Sequence, residues 1–150
     1  MYEDQILEYA QICKIPNFRG VLMRDELLAI KPVKVNECGI LNLNRHDEQG
    51  SHWTAWIKQG KNRFWFDSFG MRPPVEVLKY LKTPSEYNKD KPVIKCNAVT
   101  VQHYQSEECG ALSLYVIVKL LQGHAFDKII QKLQKRFQKS AEPPPLKLSL

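Results

Sequence analysis

At 150 residues, 43% of them apolar and 25% charged, the chain fits one domain, large enough to bury a sizeable core without disulfide or metal staples. No apolar run reaches the roughly 18 residues of a membrane span, and Glu3, Asp4 and Glu8 stand where a signal peptide would be basic and apolar, so an unsecreted, soluble protein of a reducing compartment is expected. Cys13, Cys38, Cys96 and Cys109 form no CxxC pair and no ligand pair has zinc spacing, which argues against a metal site or a disulfide framework, while the net charge of +6 points to an acidic partner such as nucleic acid.

Ile6, Leu7 and Ala10 at helical spacing predict an opening helix over residues 4–12. From Phe18 to Pro32 turn formers mix with apolar residues, and an irregular stretch is expected. Cys38-Gly39-Ile40-Leu41-Asn42-Leu43 reads as a buried strand, followed by a polar loop over 44–50. Two strands, 52–58 and 61–68, then predict a hairpin turning at Gln59-Gly60. In that register Lys58 faces Lys61 and His52 faces Asp67, close enough for a carboxylate to orient a ring nitrogen. Thr54, Trp56 and Trp65 share the dyad's face. Trp53, Ala55, Ile57, Phe64 and Phe66 take the other, so the hairpin should lie in a sheet covered on both sides. The alternative, a bulge at Gly60-Lys61-Asn62, would slip the register by one and turn Asp67 away.

Pro73-Pro74 ahead of Val75, Val77, Leu78 and Leu81 predicts a short helix, 83–91 a loop, and Val93-Ile94 and 98–101 extended segments. The central helix is expected over 109–122, apolar nearly all round and hence buried, with Gly123 as its stop. Phe126, Ile129, Ile130, Leu133 and Phe137 define an amphipathic final helix whose outer face carries Lys128, Lys132, Lys135, Arg136 and Lys139. Residues 1–140 read as one domain and 141–150, with three consecutive prolines, as an extended or disordered tail.

The chemistry gathers at Val101-Gln102-His103-Tyr104-Gln105-Ser106-Glu107-Glu108-Cys109-Gly110, where a cysteine opens the apolar run. The positive end of a helix favours a thiolate, and its free amides can hold an oxyanion. A small residue after the thiol, Gly110, lets a substrate backbone approach, and a glutamine ahead of it can reach the same oxyanion. His52 and Asp67 supply the imidazole and the carboxylate that a thiol hydrolase also needs. Against this, the acids Glu107 and Glu108 would raise the thiol pKa unless cations pair with them. Cys13 and Cys38 read as core residues, and His46, His103 and His124 as surface or loop groups.

Gly50-Ser51-His52-Trp53, Phe66-Asp67-Ser68-Phe69-Gly70 and Val101-Gln102 with Cys109-Gly110 together resemble the adenovirus endopeptidase (adenain) family, in order and spacing as well as motif. The Ulp-type SUMO proteases are its wider relatives; the short chain favours the adenain branch, as in a virus, virophage or Polinton-type element. The resemblance implies an α+β, permuted papain-like fold, with a central mixed or antiparallel sheet packed on a buried central helix that carries the nucleophile. It makes Cys109 the nucleophile, His52 the general base and then acid, Asp67 the orienting group and Gln102 an oxyanion donor, with Gln105 as the rival donor. Asp67 stands where adenain has Glu and the SUMO proteases have Asp.

Trp53 is either the roof of a channel that only glycine threads, which would direct cleavage to Gly-Gly or Gly-X sites, or plain core. By this resemblance the protein is a monomeric cysteine endopeptidase that cleaves viral capsid or core precursors, in the virion and in the cytoplasm or nucleus of infected cells, with no membrane partner. No cofactor is needed for the chemistry. DNA or a short peptide is the activator that the family suggests, with the basic face of the final helix as the DNA surface and Cys96 as the peptide's docking thiol; an ordinary solvated face is the alternative for those lysines. The other readings are a protease for ubiquitin-like proteins and a catalytically silent nucleic-acid- or capsid-binding module.

Overall fold

The computed structural model describes residues 1–44, 52–82, 93–139, 146 and 148. The polar loop after Asn44, with His46 in it, the loop expected over 83–91, and the tail apart from Leu146 and Leu148 lie outside the described residues.

Five strands form one mixed sheet in the order β1-β2-β3-β4-β5. β1 (Phe18–Met23) is parallel to β2 (Asn36–Asn42), which pairs antiparallel with β3 (Trp53–Gln59). β3 is antiparallel to β4 (Asn62–Phe66), and the short β5 (Ile94–Cys96) is parallel to β4. Four α-helices, α1 (Glu3–Ile12), α2 (Val75–Leu81), α3 (Cys109–Leu121) and α4 (Phe126–Lys139), are described with it. This is the α+β architecture expected, a mixed sheet against a buried helix that begins at Cys109.

The stretch from Phe18 to Pro32 is not irregular. It contains β1 and a 3-10 helix, Arg24–Ile30. Gly20, which suggests a chain break in the sequence, sits at φ +116° where the pairing with β2 shifts between Phe18 and Val21, so it marks a bulge inside a strand rather than its end. Residues 98–101, expected extended, form no strand, although the Val101 N–H bonds the Ser68 carbonyl at 2.8 Å and so ties them to the end of β4.

The sheet is covered on both faces. Ala55, Ile57, Phe64 and Phe66 pack with α3, α4 and α1 in the larger core, while Trp56, Trp65 and Leu41 pack with α2 and Leu27 in the smaller. The hairpin register differs from the expected one. Gln59 pairs with Asn62 around a Gly60-Lys61 turn, and Ala55 pairs with Phe66, so Asp67 lies two residues out of step with His52 rather than opposite it. Because side chains alternate with a period of two, a two-residue offset keeps both on one face where a one-residue bulge would have separated them.

α3 is buried over most of its length, from Cys109 through Leu120 with only Ala111 and Lys119 partly open. It stops where expected. Gly123 takes φ +90°, its N–H bonds the Leu120 carbonyl at 3.0 Å and the His124 N–H bonds the Lys119 carbonyl at 3.1 Å, a Schellman closure that uses two otherwise orphaned carbonyls. Leu146 and Leu148 pack against the larger core, and the Leu148 carbonyl accepts the Cys13 thiol at 3.5 Å. Among the described residues no helix is long and apolar enough to cross a membrane.

Candidate active site

His52 precedes β3 and Asp67 follows β4, so both sit just past the ladder, where side chains are free to converge. The His52 Nε2 and the Asp67 Oδ1 are 2.8 Å apart. The same oxygen accepts the Phe69 N–H at 2.8 Å, and the Phe69 ring stacks on the imidazole at 4.8 Å. Asp67 is fully buried, and its Oδ2 has no partner among the described residues, so its charge is directed at these two donors. Asn97 locks the Asp67 backbone, accepting its N–H at 3.1 Å and donating to its carbonyl at 2.5 Å.

With Nε2 engaged by Asp67, the other ring nitrogen, Nδ1, is left for Cys109, whose thiol hydrogen-bonds His52. The sulfur also accepts the Trp53 main-chain N–H at 3.4 Å. Burial pushes the Cys109 thiol up, but the bond to His52, the Trp53 and Gly110 amides and the imidazolium charge outweigh it and bring its pKa below the ordinary thiol value. Burial likewise pulls His52 down, yet its bonds to Asp67 and Cys109 and the charges of both raise it to about 9. The two shifts are complementary, and both favour the thiolate–imidazolium form of the pair. The other cysteines are shifted the opposite way: burial raises Cys13, Cys38 and Cys96, Cys38 to about 12 with help from Glu37.

Gln102 is 3% exposed and lies in the wall of a groove of about 600 Å³ that also holds His52, Trp53, Phe69 and Cys109. His52, Asp67, Gln102 and Cys109 are thus brought together. Gln105 is exposed and is not among the residues lining that groove.

Other candidates are placed differently. Trp53 lines the groove but is 7% exposed, and its indole N–H bonds the Met1 carbonyl at 3.0 Å. Gly110 does not line the groove. A Cβ there would meet the Met1 sulfur at 3.2 Å and Ile6 at 3.3 Å, so its smallness admits the start of the chain rather than a substrate backbone. On α4, Lys128, Lys132, Lys135 and Lys139 are exposed as expected, but Arg136 leaves that face and grips Glu108 at 2.6 and 3.3 Å. Its long side chain reaches back to the start of α3, so the cation that offsets the acid beside Cys109 comes from the protein itself. His103 is half-buried and packs on Phe137 at 4.4 Å, while His124 is exposed. Among the described residues no group of three or more His, Cys, Asp or Glu could hold a metal ion.

Sequence reasoning missed Asn97, Ser68 and Phe69 as parts of the site. The last two stand inside a motif singled out for Asp67 alone, and their adjacency to the acid was the available signal.

No family model matches the chain. R355, a supposed thiol protease of Acanthamoeba polyphaga mimivirus, is 31% identical over 98 residues, a match covering 61% of this chain and 32% of that protein. The chain thus spans about a third of the length of the curated relative it matches. Among solved structures it is similar to the ASFV pS273R protease, with a TM-score of 0.55 and 17% identity, over 90% of this chain and 63% of that one. The yeast Ulp1 protease domain in complex with Smt3, the yeast ortholog of SUMO, aligns at a TM-score of 0.44 and 17% identity, over 91% of this chain and 74% of that one. The fold is the papain-like one of the pS273R type, with the helix that carries Cys109 packed on a mixed sheet.

Proposed function

We propose that this protein is a cysteine endopeptidase in which Cys109 is the nucleophile, His52 the general base and acid, Asp67 its orienting group and Gln102 an oxyanion donor. The observation that carries this reading is the His52 ring held between the Asp67 carboxylate and the Cys109 sulfur. The Cys109 thiolate attacks a peptide carbonyl, and the oxyanion that forms is held by the Gln102 amide and the Cys109 main-chain N–H. As the C–N bond breaks, the imidazolium passes its proton to the leaving amine, which departs and leaves a thioester. Neutral His52 then takes a proton from water as it attacks that thioester, and the thiolate is released with the imidazolium restored.

The substrates we assign are capsid or core precursor polypeptides of a virus or virus-like element, cut at Gly-Gly or Gly-X sites. A match to a mimivirus protein and the fold of an ASFV protease support a viral setting. Trp53, in the groove beside His52, is the side chain we assign to glycine selection. The exposed Lys128, Lys132, Lys135 and Lys139 are where we place an acidic activator such as DNA, whose effect would weaken steeply with salt.

Co-expression of the wild type and Cys109→Ala with candidate capsid precursors tests the proposal. Processing should occur with the first and be absent with the second. Equal processing by both would refute it.

A further inference from the structure

Asp67, Ser68 and Phe69 are consecutive, yet they serve two halves of the site. Asp67 and Phe69 hold His52, whereas Ser68 turns away from it: its hydroxyl donates to the Gln102 Oε1 at 2.5 Å, and both residues are buried, at 0% and 3% exposure. The other end of the same amide, Nε2, donates to the Ser106 carbonyl at 2.7 Å. A flipped amide would set its oxygen against that carbonyl, so the orientation is fixed, and one of the two Nε2 protons is left for the groove. Ser68 is itself anchored, its carbonyl accepting the Val101 N–H at 2.8 Å and the Thr100 hydroxyl at 3.2 Å.

We propose that Ser68 is a positioning residue that holds the Gln102 amide ready for the oxyanion, so that the turn after β4 aligns both the proton-transfer group and the oxyanion donor. The inference rests on the proteolytic reading above. Two effects follow from the hydroxyl. It removes the torsional freedom of a side chain whose placement must be correct before the reaction begins, and by donating into Oε1 it polarises the amide and strengthens the remaining N–H as a donor. Without it, a buried carbonyl oxygen is left unpaired and the side chain is free to leave its place.

The test compares wild type, Ser68→Ala, Ser68→Thr, Gln102→Ala and the Ser68→Ala/Gln102→Ala double variant on a peptide ending in Gly-Gly-aminomethylcoumarin. Ser68→Ala should lower kcat about tenfold, part of the loss typical of deleting an oxyanion donor, with KM nearly unchanged. Ser68→Thr should restore most of it, and in the Gln102→Ala background the alanine should cost nothing further. Alkylation of Cys109 by chloroacetamide displaces chloride without forming an oxyanion, so its rate and pH profile should be those of the wild type. Binding of a peptide aldehyde, which forms a tetrahedral adduct, should weaken in step with kcat. Should Ser68→Ala not fold, Ser68→Cys, with a weaker donor, is read in the same way.

An unimpaired Ser68→Ala, a loss that multiplies with that of Gln102→Ala, or alkylation slowed as much as hydrolysis would overturn the inference while leaving the protease reading intact. A wild type that neither cleaves the peptide nor binds the aldehyde would overturn both.

Discussion

The Trp53 main-chain N–H reaches the Cys109 sulfur at 3.4 Å because β4 ends at Phe66, opposite Ala55, and gives Trp53 no ladder partner. The Ser68 carbonyl, which continued pairing would place across from Trp53, is turned to Val101 instead. A donor that sheet formation normally consumes is thereby left for an anion, at the end of the sheet where His52 also stands.

The ionised pair sets a pH window. Cys109 is lowered, so its thiolate forms at a lower pH than that of an ordinary thiol, while His52, raised to about 9, loses its proton as pH rises through that value. Peptide hydrolysis needs the imidazolium to protonate the leaving amine and should therefore decline above about pH 9. Chloroacetamide should label Cys109 first at neutral pH, ahead of Cys96, which is exposed but shifted upward. Mass spectrometry of labelled peptides across a pH series checks both.

Asp67→Asn keeps the shape of the side chain and removes its charge. His52 then loses its largest upward influence and the partner that fixes its ring, so kcat should fall by roughly two orders of magnitude or more, and the alkaline limb should move to lower pH. A pH series of kcat/KM is the measurement.

Arg136→Ala strips Glu108 of a partner bonded at 2.6 Å and leaves a bare carboxylate next to Cys109. The thiol pKa should rise, moving the acidic limb of the alkylation profile to higher pH and slowing labelling several-fold at neutral pH. Lys135→Ala, on the exposed side of the same helix, should leave the profile where it is.

Gly39→Ala should destabilise the fold by about 3 kcal/mol. A Cβ at Gly39 would come within 2.2 Å of the Trp56 ring, which cannot retreat because it is fully buried and its indole N–H is bonded to Glu37 at 2.8 Å. Urea unfolding of the two proteins gives the difference.

The helices and the two-sided burial of the hairpin were legible because apolar periodicity reports faces directly. The meeting of His52 with Asp67 was legible for a related reason: parity decides the face, and the true register differs from the expected one by an even step. What sequence did not disclose depends on contacts between distant segments. Glu37, which binds Arg19, the Lys34 N–H, Trp56 and Tyr80, looks like one more surface acid until the fold buries it. Arg136 looked like a member of a basic stripe because helical periodicity assigns a direction to the Cα–Cβ bond, whereas a long side chain chooses its own partner. Gly110 was read as room for a substrate because nothing local reveals that Met1 returns to fill that space.

The element that carries Cys109 is sheltered on nearly every side. Unseating the sulfur by opening this helix would expose Leu112, Leu114, Val116 and Ile117, at the middle of the larger core, to water. Inactivation by heat or urea should therefore trace the same curve as the loss of the slowest-exchanging amides, with no half-melted species that has surrendered its chemistry while keeping its shape.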